Sequence, residues 1–256
     1  MQKTNWINIA QFIIKKPFHI FTLIEKVYLR LTFISNNSSV ERLKKDDRLV
    51  KAEEFAKKID PELWQESYDF AEQFKKKAAS KLQKIEYNLG GGGIYPLLYF
   101  LTRHFKANIV VETGVASGFS SQAFLAAMEV NKEGILYSSD LPYFRLPNPE
   151  EFVGLLVDDN LKTRWRLYLD GDKKNLANIC SQINHIDIFH YDSDKSYLGR
   201  KMAMSMLSDK LTEKSIIIMD DIQDNSYFFD YLEAGNISNY FIFEFGGKYV
   251  GLIADI

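Results

Sequence analysis

The 256-residue chain has a single cysteine, Cys180. That excludes an intramolecular disulfide framework and a cysteine-based zinc site, and it fits a reducing, cytoplasmic compartment. An excess of charge of one sign is also missing. Thirty-two basic residues face 34 acidic ones for a formal net charge of -2, so no global field draws the chain to nucleic acid or to an acidic membrane. There is no basic stripe and no NPPY-type aromatic motif, so a nucleic-acid substrate is not expected. Long apolar runs are absent. The stretch 18–34 is interrupted by Glu25, Lys26 and Arg30, whereas a spanning helix needs roughly 20 mostly apolar residues. The short run Ile9 to Ile14 is followed by Lys15, Lys16 and Pro17 with no small-residue cleavage site, so no signal peptide is read there.

What is present is ordinary globular composition, 46% apolar and 26% charged, at a length that suits one α/β domain plus an appendage. The appendage is residues 1–89, which read as helical and without chemistry. Ile20, Leu23 or Ile24, Val27, Leu31 and Ile34 recur at helical spacing. Packing on the main domain or on a second subunit is the first reading, which allows a homo-oligomer. A peripheral membrane helix with Lys15, Lys16, Lys26 and Arg30 near headgroups is second, because those basic residues are not one-sided. Ser35 to Ser39 is a polar break, and Glu41 to Lys84 reads as one or two solvated helices.

Gly90 to Gly93 form a flexible turn, and Pro96 suits the first turn of a helix running to about His104. Strands are then expected at 108–112, 135–139, 164–169, 186–191 and 215–219, with helices at 120–130 and 198–207. That alternation implies a doubly wound, mostly parallel sheet. Strands at 240–245 and 248–254 are joined by Gly246-Gly247, a two-residue turn that makes the pair an antiparallel hairpin. The expected fold is therefore α/β, with seven strands and a C-terminal hairpin.

The first buried strand runs into Glu112-Thr113-Gly114-Val115-Ala116-Ser117-Gly118-Phe119-Ser120. Glycines at such a turn let backbone approach a ligand beside a helix N-terminus. Gly114 and Gly118 are spaced GxxxG, so the dinucleotide fingerprint GxGxxG is missing. Asp140 follows the second strand, where an acid can accept from ribose hydroxyls. Asp170-Gly171-Asp172 follow the third, Asp192 the fourth and Asp220 the fifth. One such carboxylate reads as a cap; acids at four successive strand ends on one rim read as a site.

The stretch from Gly90 to Ser121, and the run Asp192-Ser193-Asp194-Lys195-Ser196-Tyr197, resemble class I S-adenosylmethionine (SAM)-dependent methyltransferases. Most similar are the bacterial small-molecule O-methyltransferases of the catechol and macrolide-sugar types. The resemblance covers 90–256, read as the methyltransferase domain. It implies that Gly114 and Gly118 line the methionine part of SAM, Ser120 holds its carboxylate, and Glu112 orders the loop and the amino group. It further implies that Asp140 binds the ribose and that Gly171 and Asp172 flank the adenine.

Methyl transfer needs an aligned acceptor and a way to remove its proton. A divalent cation would serve a hydroxylated small-molecule acceptor, and Asp192, Asp220 and Asp221 offer the oxygen ligands that Mg²⁺ prefers. In the resembling enzymes those positions carry a metal triad. Asp221 stands where catechol-type enzymes carry Asn, which favours a sugar or polyketide-type acceptor over a catechol. Lys195 falls where the catechol-type enzymes carry a lysine base, which needs its pKa lowered from about 10.4 to act at neutral pH. Asp194 is an alternative outer ligand, and His190 is expected to point into the sheet. Tyr143, Phe144, Arg145, Trp165 and the aromatics 227–229 are either an acceptor wall or core, with core preferred. A metal-independent SAM methyltransferase, with acidic strand ends and no metal, a SAM-binding protein without turnover and an NAD-dependent oxidoreductase are the competing readings.

Overall fold

A computed structural model describes residues 6–31 and 37–256. Part of the polar break expected at Ser35 to Ser39, and Ile34 of the N-terminal periodic set, lie outside the described residues.

Seven strands form one sheet: β1 (Ile109–Thr113), β2 (Ile135–Ser139), β3 (Trp165–Tyr168), β4 (Ile188–Tyr191), β5 (Ile216–Met219), β6 (Tyr240–Phe245) and β7 (Lys248–Ile253). Their order is β3-β2-β1-β4-β5-β7-β6. The first five are parallel; β7 runs antiparallel to β5 and β6. The hairpin turn takes positive φ at both Gly246 (59°) and Gly247 (80°), as its two-residue length demands.

The parallel strands are short and apolar because both faces are covered. Successive residues point to opposite faces. Val110, Ile188 and Ile218 join the core beneath α6 (Tyr95–Phe105) and α7 (Phe119–Asn131). Val111, Phe189, Ile217 and Met219 join the core beneath α8 (Asp172–Cys180), α9 (Tyr197–Leu207) and α10 (Tyr227–Ala234).

Ahead of the sheet come α1 (Trp6–Lys15), α2 (His19–Leu31), α3 (Asn37–Lys45), α4 (Ala52–Ile59) and α5 (Pro61–Leu82). The expectation of solvated helices over 41–84 fails for α4 and α5. Trp64, Ser67, Ala71, Phe74 and Ala78 are buried at alternating spacings of three and four, a single stripe on α5. That stripe and Phe55 share the core with α6 and α7. Asp60 accepts from the Leu63 amide at 2.9 Å, and with Pro61 behind it sets the start of α5. Between α3 and α4, Val50 donates to the Ile242 carbonyl at 2.9 Å, and Leu49 bridges to Ile242, which covers part of the outer strand β6.

Candidate active site

The parallel register builds the site. Thr113 is paired with Ser139 on one side and with Tyr191 on the other, and Tyr191 with Met219. The residues one step further on, Gly114, Asp140, Asp192 and Asp220, therefore reach one rim together at the carboxyl ends of the strands. The chain leaves β1 towards β2 and returns to β4 on the opposite side, so the space above β1 and β4 is the switch point where open α/β sheets bind ligands.

Gly114 shows how closely backbone approaches there. Its φ is +85°, and a Cβ would stand 2.3 Å from the carbonyl oxygen of Asp192. Gly118 has φ +99°, but a Cβ on it would meet the Gly154 Cα at 2.9 Å. It closes the turn onto the 154 loop, where the resemblance implied a contact with methionine. Ser120 lines the inner end of the cleft together with Gly114, His190, Asp192 and Asp220.

Glu112 is fully buried. One of its oxygens accepts from the hydroxyls of Ser121 and Ser138, the latter at 3.1 Å, while Oε2 has no partner. Burial pushes its pKa up to about 7 against those hydrogen bonds. It ties the end of β1 to the first turn of α7. Asp140 accepts from the Ala116 amide at 2.7 Å and from the Leu141 amide at 2.6 Å, so it fastens the glycine turn while lining the cleft. Asp172 accepts from Ser139 Oγ at 2.6 Å and Ser193 Oγ at 2.5 Å. Gly171, with φ +90°, lies beneath Thr22 of α2, whose methyl would stand 2.7 Å from an added Cβ. Asp170 turns outward to His19 (3.1 Å) and Lys174 (2.8 Å).

The three carboxylates expected to hold a metal do not converge. Asp192 pairs with Lys195. Asp221, in a left-handed turn at φ 54°, pairs with Lys195 at 3.0 Å and Lys248 at 3.0 Å. Asp220 faces His190 at 3.5 Å. Among the described residues no group of three or more His, Cys, Asp or Glu is placed to hold a metal ion. The donor set does not fit a divalent cation, because the Lys195 ammonium stands between two of its three members.

Lys195 also departs from the base expected of it. Burial lowers its pKa, but Asp192 and Asp221 outweigh burial and the net shift is upward, so it stays protonated at neutral pH. Asp192 is shifted upward too: burial, then repulsion from Asp220, raises its pKa to about 6 despite Lys195. Asp221 is held down at about 2, with Lys195 and Lys248 overcoming burial. For buried His190, burial lowers the pKa, but Asp220 outweighs it and the net shift is upward. Asp194 is turned to the Ser196 amide at 2.8 Å at the start of α9, not to Lys195.

The aromatic candidates divide. Tyr143, Phe144 and Arg145 line the outer cleft, an opening of about 430 Å³ that also takes in Leu89, Gly114 and Asp192. Trp165 instead lies against Gly154 and donates to Ser138 Oγ at 2.7 Å, and 227–229 are buried core on α10.

The contacts that Gly90–Gly93, Tyr143 and Arg200 make at the site went unread in the sequence. The Gly90–Gly93 run crosses the cleft: a Cβ on Gly93 would lie 2.7 Å from Asp220 Oδ2. The Tyr143 hydroxyl donates to the Leu89 carbonyl at 2.8 Å and ties that run to the loop after β2. Arg200, 1% exposed, donates to the carbonyls of Asp220 (2.8 Å) and Asp221 (2.9 Å) and holds the turn after β5. The run of four glycines ahead of α6 was the one available signal; nothing local marked Arg200.

Residues 111–222 match the family model described as a methyltransferase domain. Solved structures share the fold. An O-methyltransferase from Bacillus cereus in complex with S-adenosylhomocysteine (SAH) superposes with a TM-score of 0.51 at 14% identity, covering 76% of this chain and 91% of that one. Cofactor-bound Rv0187 from MTB gives 0.54 at 12% identity, covering 71% and 89%. A methyltransferase from Geobacter sulfurreducens gives 0.50 at 16% identity, covering 71% and 89%. No curated protein sequence matches the chain. The fold, with its glycine turn and acidic rim, is the one those methyltransferase structures share. Fold and sequence match together make the chain similar to the class I methyltransferases.

Proposed function

We propose that the chain transfers a methyl group from SAM to a hydroxyl of a small molecule, with a sugar or polyketide-type acceptor favoured over a catechol. The observation that carries this reading is the meeting of the Gly114 turn with Asp192 across β1 and β4, on the wall of an open cleft.

SAM supplies a methyl already activated by its sulfonium. The remaining task is to align an acceptor oxygen and receive its proton. Asp192 has the position and the acidity for that step: it lines the cleft, and its pKa of about 6 leaves it ionised but basic at neutral pH. As the acceptor oxygen bonds to carbon and the sulfur–carbon bond breaks, the hydroxyl proton passes to Asp192 and from there to solvent. The products are a methyl ether and SAH. Lys195 pairs with the Asp192 carboxylate and donates to its carbonyl at 3.1 Å, which fixes the base in place. Tyr143, Phe144 and Arg145 offer a mixed apolar and cationic mouth for the acceptor. Metal assistance forms no part of this reading, since Asp192 and Asp221 are already paired with Lys195 and Lys248.

The test is transfer of labelled methyl from SAM to a panel of hydroxylated sugars, polyketides and catechols, run with EDTA and with Mg²⁺. Methylation of a sugar or polyketide in EDTA supports the proposal. Methylation only with Mg²⁺ overturns the metal-free mechanism. SAM binding with no transfer to any acceptor favours the reading of a binding protein without turnover.

A further inference from the structure

We propose that α1 and α2 form a docking surface for an anionic lipid bilayer. Among the described residues the contacts of the two helices with the domain lie along one side. Phe12 and His19 are buried there, and Asn8 donates to the Arg145 carbonyl at 2.9 Å. Phe12 packs on Phe144 at 6.5 Å, Lys16 pairs with Glu150, and His19 pairs with Asp170. Among the described residues the other side presents exposed apolar side chains. Trp6, Ile7, Ala10 and Ile14 recur along the outer face of α1; Ile20, Phe21, Ile24, Val27 and Tyr28 recur along that of α2. Exposure reaches 75% at Trp6, 79% at Ile14, 82% at Phe18 in the connecting turn and 72% at Phe21. Monomeric soluble proteins rarely leave a contiguous apolar face of this kind open.

Charge selects the occupant. Lys15, Arg145 and Lys173 are exposed around this face without an acidic partner among the described residues. Their neighbours Glu150 and Asp170 are already paired, to Lys16 and to His19 with Lys174. A two-fold contact between copies would set this cationic rim against itself, because such an interface pairs one patch with the same patch. Anionic headgroups above an apolar layer match both the rim and the face. The aromatic share, Trp6, Phe18, Phe21 and Tyr28, suits the headgroup boundary. No helix among the described residues is long and apolar enough to cross a membrane, so the fit is a helix pair lying in the interface plane. The inner contacts of α1 and α2 fall on loops 141–150 and 169–172, so docking would hold the mouth of the cleft at the bilayer.

The experiment is co-sedimentation of the full chain with phosphatidylcholine vesicles, with and without phosphatidylserine, beside analytical ultracentrifugation without lipid. Binding is expected to phosphatidylserine vesicles, weakened by salt. Lys15→Glu should weaken it about fivefold or more, and the surface variant Phe18→Ser/Phe21→Ser at least about tenfold, with unchanged thermal melting. Absence of binding by the unaltered chain to either vesicle overturns the proposal. So does a lipid-free dimer that Phe18→Ser/Phe21→Ser dissociates, which would assign the face to a second copy.

Discussion

Replacing Gly114 with alanine puts the geometry of the switch point to the sharpest test. At φ +85° an L side chain costs about 1–2 kcal/mol in the backbone alone. The added Cβ would also lie 2.3 Å from the Asp192 carbonyl oxygen and 2.6 Å from its carbon. Both belong to backbone at the end of β4, in mid-sheet, so neither can rotate away. Separating β1 from β4 to ordinary contact adds strain of about 1–3 kcal/mol. The sum, about 2–5 kcal/mol, predicts a fall in melting temperature of roughly 5–15 °C. Because the displaced atoms wall the cleft, SAH affinity should fall by about 100-fold or more. Gly246→Ala is the matched control. Its φ is +59° with nothing within 4 Å of the added Cβ, so only the backbone cost of about 1–2 kcal/mol applies and SAH binding is unchanged. Calorimetric titration and thermal melting of the two variants decide the matter. If Gly114→Ala melts like Gly246→Ala and binds SAH like the unaltered chain, the close approach of the two strand ends is refuted.

If Asp192 is the base, kcat/KM should be level above pH 6 and fall about tenfold per pH unit below its pKa of about 6; a flat profile down to pH 5 removes it from that role. Lys195→Met should lower kcat/KM by about 100-fold and move the acid limb to higher pH, since Asp192 loses the cation that favours its ionised form; an unmoved limb would mean that Lys195 does not act through Asp192. Glu112 binds its proton more tightly in the fold than unfolded, about 7 against 4.5, so the stability it lends is complete below pH 4.5 and lost as pH rises through 7. Glu112→Gln should therefore gain on the unaltered protein across that window by up to about 3 kcal/mol in pH-dependent melting, and a constant difference from pH 4.5 to 8 would contradict the shift.

The sheet was legible because each parallel strand is a short apolar run that stops at a polar rim residue. The boundaries expected at 135–139 and 240–245 coincide with β2 and β6, and Gly246-Gly247 announced the reversal. Helices next to the rim were harder to read. The α8 segment begins directly at Asp172, and its apolar residues all fall from Leu176 onward. In α10, Tyr227, Phe228 and Phe229 are consecutive, so they carry no period that separates core from cleft wall. On α5 the buried stripe was present in the sequence, but Lys75, Lys76 and Lys77 masked it.

For the site, residue types were readable and directions were not. The sequence puts Asp192, Asp220 and Asp221 at two neighbouring strand ends. Only the left-handed turn at Asp221, held by Arg200, shows that Asp192 and Asp221 share Lys195 while Asp220 faces His190. The same holds for Lys195. Its position suggested a base, whereas the two carboxylates around it keep it protonated. Contacts over long sequence separation, such as Thr22 above Gly171, have no local signature at all.

The central claim is that this rim holds SAM without a metal ion. Isothermal titration of the full chain with SAH, in EDTA and again with Mg²⁺, tests it most directly. One molecule should bind per chain with the same affinity in both conditions. No binding in either condition would contradict the assignment to SAM, and binding that requires Mg²⁺ would contradict the account of Asp192, Lys195 and Asp221.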